Sequence, residues 1–184
     1  MIETAVNPPL DPAQIQQALA ARTADVDRVV SAAFAGQIAA KYPSGLTLLA
    51  VGGYGRRELF PHSDVDLLFL VDTEKNIPER GVLSPMLQHL WDSSLRPSHS
   101  VHPLIDCTME HADNGEFTIS LLDHRFLAGD AALYTELSQK FSQFRSRSSF
   151  SPWNRPQSKS TRTPLCSSRY LEPVTVRAAP RNVR

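Results

Sequence analysis

Two short, nearly unbroken apolar runs, Leu46–Val51 and Val65–Val71, stand either side of a glycine-rich turn. Neither is long enough for a helix, and each is bounded by Gly, Pro or Ser. Both therefore predict buried strands, which restricts the chain to an α/β fold with helices packed on a sheet. The connection between them holds Gly52, Gly53 and Gly55 as a tight loop, then a short helix expected around Arg56–Leu59, then Pro61, His62 and Ser63.

The remaining elements follow from periodicity. From Asp11 to about Ala40, Ile15, Leu19, Val26, Val29, Val30, Ala33 and Ile38 fall on one helical stripe, and Pro12 suits a first turn. A helix is predicted over about 79–95 with Leu83, Met86, Leu87, Leu90 and Trp91 on one face, Trp91 as a core anchor. A third strand is predicted over His99–Ile105, confined to a sheet edge by Pro103. Two helices complete the pattern. The first lies near Glu116–Leu127 and stops at Gly129. The second starts beside Asp130 and carries Leu133, Leu137, Phe141 and Phe144.

A length of 184 residues suits one domain. Residues 1–144 hold 10 Lys and Arg against 18 Asp and Glu, a net charge of −8, whereas residues 145–184 hold 9 against 1, a net of +8. Helical spacing stops beyond Phe144. Residues 145–184 are rich in Ser, Arg, Pro and Thr, so a disordered tail is expected there. Nucleic-acid binding by its arginines is the weaker reading, since only Trp153 and Tyr170 interleave with them. The domain is thus expected over 1–144, with an N-terminal helix at about 11–40, a catalytic core at about 46–106 and helices at about 116–144. The longest apolar stretch, 65–71, is broken by Asp66, so no membrane partner is expected. The N-terminus lacks a basic-then-apolar secretory pattern. Cys107 and Cys166 supply neither a disulfide framework nor a four-cysteine zinc site, and a cytoplasmic location is expected.

The chemistry concentrates in LLAVGGYGRRELFPHSDVDLLFLV, Leu48–Val71. Asp64 and Asp66 open the second strand, and alternate strand residues project to the same face. Two adjacent carboxylates repel each other and favour a shared hard cation, Mg²⁺ or Mn²⁺, of the kind that phosphates also bind. A pair of such ions roughly 3.5–4 Å apart steadies attacking and leaving oxygens in phosphoryl or nucleotidyl transfer. Gly52 and Gly53 allow backbone amides close to a triphosphate, and Arg56 or Arg57 adds a charge-assisted phosphate contact. His99 and His102 would face opposite sides of a strand, with nothing to complete a zinc site.

The segment GGYGRRELFPHSDVDLL (Gly52–Leu68), with LWD (Leu90–Asp92), HSV (His99–Val101) and LLDHRFLAGD (Leu121–Asp130), resembles the DNA polymerase β-type nucleotidyltransferases. Within that superfamily it is most similar to the catalytic domain of the protein-PII uridylyltransferase family. The resemblance covers roughly residues 11–141. It implies a small mixed sheet flanked by helices and a Mg²⁺-dependent enzyme, with Mn²⁺ as an alternative. The implied reaction moves UMP from UTP to a tyrosine of a PII-type signalling protein and releases pyrophosphate. Asp64 and Asp66 would be the catalytic metal ligands, Asp106 by position the candidate third carboxylate ahead of Asp92. Gly52, Gly53, Arg56 and Ser63 would hold the nucleotide. The chain departs from the family at Arg57 and Ser98, where glycines are usual, at His102, where Arg is usual, and at Pro97. The resemblance fades near Phe144, so a truncated product is expected, its tail an out-of-frame or degenerated end. The rival readings are an inactive remnant, a nucleotide-binding module, or a signalling nucleotidyltransferase with another acceptor.

Overall fold

A computed structural model of the chain describes residues 11–79, 81–108 and 115–147. The expected disordered tail lies outside these residues, apart from the end of the last helix. The chain divides into two units, Met1–Phe150 and Ser151–Arg184, and everything below concerns the first.

The element order is α1 (Pro12–Gln37), β1 (Leu46–Ala50), α2 (Gly52–Gly55), β2 (Val65–Val71), α3 (Ser84–Asp92), β3 (Pro97–Pro103), α4 (Gly115–Ser120), β4 (Arg125–Gly129) and α5 (Ala131–Arg147). The four strands form one mixed sheet in the order β3-β2-β1-β4. β1 runs antiparallel to β2, from Leu46↔Val71 to Ala50↔Leu67, and antiparallel to β4. β2 runs parallel to β3, from Val65↔Pro97 to Val71↔Pro103. The mixed sheet flanked by helices is the architecture expected from the sequence.

Strand alternation sends the two central strands into two cores. Leu46, Leu48, Ala50, Val65, Leu67, Phe69 and Val71 pack with Val26, Val30 and Phe34 of α1 and Met86, Leu87 and Leu90 of α3. Leu49, Leu68 and Leu70 pack on the other face with Leu121, Leu133, Leu137 and Phe141. The continuous apolar runs are therefore the mark of strands covered on both sides. His99 meets the edge of Phe69 and His102 the ring of Phe117, so the two imidazoles do face opposite sides.

Local chemistry fixes the helix ends. The Ala13 amide donates to Asp11 Oδ1, and Pro12 occupies the first turn of α1. Its first turns stand clear of the core, with Ile15 at 36% exposure. α3 is shorter than the expected 79–95 because Gly81 adopts φ +87°, Pro85 opens the helix and Ser94 at φ +61° lies just beyond its end. Trp91 is 46% exposed, not a core anchor, and the stripe ends at Leu90. β3 begins and ends on prolines, at Pro97 rather than His99 and at Pro103 rather than Ile105. The sheet edge tolerates both. α5 continues three residues past Phe144, where Ser146 Oγ donates to the Ser142 carbonyl.

The largest correction falls at 116–127, where one helix was expected. The chain instead forms α4, a 3-10 turn at Leu121–Asp123, and then β4. Arg125–Gly129 becomes a strand because the open edge of β1 offers it a ladder, an influence invisible to local periodicity. Gly129, at φ +98°, then turns the chain into α5 with the Leu46 carbonyl 2.5 Å from where a Cβ would sit. Among the described residues, no helix is long and apolar enough to cross a membrane.

Candidate functional site

The site lies where β1 ends and β2 begins. The helical turn expected at Arg56–Leu59 is formed instead by the glycines, since α2 spans Gly52–Gly55. Gly52 enters it at φ +57°, and Arg57 at φ +65° stops it from continuing. The Glu58 amide then donates to the Gly53 carbonyl, and Leu59 turns inward to the core.

Asp64 immediately precedes β2 and Asp66 is its second residue. The Val51 amide donates to the Asp66 carbonyl at 3.1 Å, tying the strand to the start of the glycine turn. Asp66 Oδ2 lies 3.5 Å from the position of a Cβ on Gly52, so the carboxylate sits directly beside the glycine. Asp66 Oδ1 accepts from Ser98 Oγ at 2.6 Å. Parallel pairing sets Ser98 opposite Asp66, which is why sequence spacing alone gave no sign of this partner. Asp64 Oδ1 lies 3.3 Å from Arg96 Nε, and both side chains are more than half exposed. Such a pair contributes little to stability, so the carboxylate is readily exchanged to another cation. Arg96 also donates to the His62 carbonyl.

Arg56 lies along the glycine turn, its Nη2 3.8 Å from where a Gly53 Cβ would be. Its Nε donates to Glu58 and its Nη1 to Asp123, each at 2.8 Å. These two carboxylates raise its pKa further. Ser63 is half-buried, its amide donating to the Phe60 carbonyl. The fold therefore gathers Gly52, Gly53, Arg56, Ser63, Asp64 and Asp66 at one end of the sheet.

It does not bring Asp106 to them. Asp106 lies in a 3-10 turn after β3, beyond Pro103, which pairs with Val71 at the far end of β2. Five residue steps along β2 separate that level from Asp66, roughly 16 Å at 3.3 Å per residue. Asp92 ends α3 and accepts from Gln88 at 2.9 Å. Among the described residues, no group of three or more His, Cys, Asp or Glu is placed to hold a metal. Asp64 and Asp66 remain as a pair of hard oxygen donors. That set fits Mg²⁺ or Mn²⁺, whose other positions water and phosphate oxygens commonly fill.

Residues that sequence reasoning overlooked lie beneath the turn. Arg125, the first residue of β4, donates through Nη1 and Nη2 to Asp27 of α1 at 2.8 and 3.0 Å. It also donates to the carbonyls of Gly55 and Tyr54 and covers the Tyr54 ring. Burial, and secondarily the neighbouring Asp27, push the Tyr54 phenol well above its usual pKa.

A mixed α/β sheet that carries a glycine turn and a carboxylate pair at one end is a site suited to cation-assisted handling of phosphates. The chain is homologous to proteins named bifunctional uridylyltransferase/uridylyl-removing enzyme. It is 45% identical over 91 residues to the one from Bordetella avium, covering 50% of this chain and 11% of the relative. With that of Cereibacter sphaeroides it shares 45% over 94 residues, and with that of Methylococcus capsulatus 41% over 113 residues, 61% of this chain and 13% of the relative. The chain thus spans about a tenth of the length of these relatives. No protein-family model matches it, and no solved structure matches it.

Proposed function

We propose that this chain is a nucleotidyltransferase domain that moves UMP from UTP to a tyrosine of a PII-type signalling protein, releasing pyrophosphate. The observation that carries the reading is that Asp66 Oδ2 lies 3.5 Å from where a Gly52 Cβ would sit, a carboxylate beside a turn suited to phosphates. The names of the relatives point the same way. Asp64 and Asp66 would hold Mg²⁺, or Mn²⁺ in its place, and the ion would offset charge on the triphosphate and on the departing pyrophosphate. The chain's own part is to position. Gly52 and Gly53 leave room for phosphate oxygens, Ser63 would offer its hydroxyl to the nucleotide, and Ser98 fixes one oxygen of Asp66. Arg56 would steady phosphate charge from within its pairing with Glu58 and Asp123. The attacking hydroxyl belongs to the acceptor protein, and a cytoplasmic setting supplies both UTP and acceptor.

The test is transfer of label from α-labelled UTP to a PII-type protein with Mg²⁺, beside Asp64→Asn and Asp66→Asn. Label that disappears in both variants supports the reading. Silence from folded native chain, with Mn²⁺ and other nucleotides also tried, rejects it. A second reading, a nucleotide-binding module without catalysis, is favoured by Arg96 against Asp64 and by the distance of Asp106. Nucleotide binding without transfer to any acceptor would select it.

A further inference from the structure

The glycine turn has little of its own to hold it in place. α2 is four residues long, three of them glycine, and only Tyr54 contributes a buried side chain. Its position must come from outside. Two carbonyls at its end, those of Tyr54 and Gly55, accept from Arg125 at 3.2 and 3.3 Å. The same guanidinium is anchored by a two-bond fork on Asp27, with side chains only 17% and 22% exposed. Burial of this order makes such a fork stronger and more directional than an exposed ion pair. Beside it, the Asp123 carbonyl occupies the space that a Gly55 Cβ would need. Arg56 is tied to the Asp123 side chain. The turn is thus bracketed by Asp123 and Arg125, and through Arg125 it is tied to Asp27 of α1.

We infer that Arg125 is a positioning residue that sets the glycine turn against Asp66, through its bonds to the Tyr54 and Gly55 carbonyls and its anchor on Asp27. Its consequence for nucleotide rests on reading the turn as the nucleotide's seat. Lys cannot replace it, since one ammonium cannot keep a planar fork and two carbonyls together.

Amide hydrogen exchange on the full chain tests this without relying on activity. In Arg125→Lys the amides of Gly55, Arg56 and Glu58 should exchange about tenfold faster or more, while those of β1 and β2 hold their native rates. Asp27→Asn, which spares the carbonyl bonds, should loosen the same amides less, and it carries the test if Arg125→Lys fails to fold. Uniform acceleration across the sheet, or no change at the turn, overturns the inference by reducing Arg125 to a general tie. UTP with Mg²⁺ is then added. Protection of the turn in the native chain, with affinity weakened about tenfold in Arg125→Lys, links position to binding. Equal affinity in the two chains despite a loosened turn overturns that link. If UTP leaves native exchange untouched while Arg125→Lys still loosens the turn alone, the nucleotide reading falls and the positioning role stands.

Discussion

Gly52 and Gly55 belong to one turn and are glycine for different reasons. At Gly55 an added methyl would collide with the Asp123 carbonyl and approach the Ala50 carbonyl at 3.1 Å, both backbone atoms. Gly55→Ala should cost about 3 kcal/mol, as backbone cannot rotate aside, with chemical denaturation as the check. At Gly52 an added methyl would meet Asp66 Oδ2 at an ordinary 3.5 Å, but φ is +57°. Gly52→Ala should therefore cost only about 1 kcal/mol in stability. Asp66→Asn keeps an acceptor for Ser98 yet loses its charge. It should weaken Mn²⁺ binding about tenfold or more while leaving thermal stability within about 0.5 kcal/mol, as calorimetry and melting would read. At this scale the sequence showed which candidate residues one short stretch brings together at this end of the sheet. Gly52, Gly53, Asp64 and Asp66 announce themselves by spacing. Ser98, Arg125 and Asp27 do not, because each finds its partner through tertiary contact.

Elements were legible in proportion to how locally they are determined. β1 and β2 are buried on both faces and read directly as apolar runs, and α5 was anticipated from its cap at Asp130. That cap holds more than one element. Asp130 Oδ1 accepts from the Ala132 and Leu133 amides, and Oδ2 accepts from Gly45. The Gly45 bond, then the Leu133 bond, lowers its pKa from the usual 3.8. A depressed folded value means the stabilisation is complete at neutral pH and is lost as pH falls through that value. Asp130→Ala should cost about 1 kcal/mol at pH 7. The gap between native and variant melting temperatures should begin to close once pH drops below about 4. β4 was hidden for a complementary reason. Phe117 and Leu121 are four apart, as on one face of a helix, and only the vacant edge of β1 makes a strand of Arg125–Gly129.

Across the molecule, the sheet divides the apolar side chains into two cores that share its two central strands. Leu67 and Leu68 are neighbours in sequence, yet they lie in different cores, each 1% exposed. Leu67→Ala and Leu68→Ala should each cost about 2–5 kcal/mol, and each should shift a single cooperative unfolding transition by fluorescence and circular dichroism alike. Separate transitions would mean that the two faces unfold independently. The bracket around the glycine turn also gives the chain a calendar. Gly55 is synthesised 70 residues before the arginine that holds its carbonyl. At ribosomal speeds that interval lasts roughly 4–14 s. Throughout it a nascent chain can own the strands that flank the turn without owning the turn's final position, so the glycine loop is completed only after most of the domain has been made.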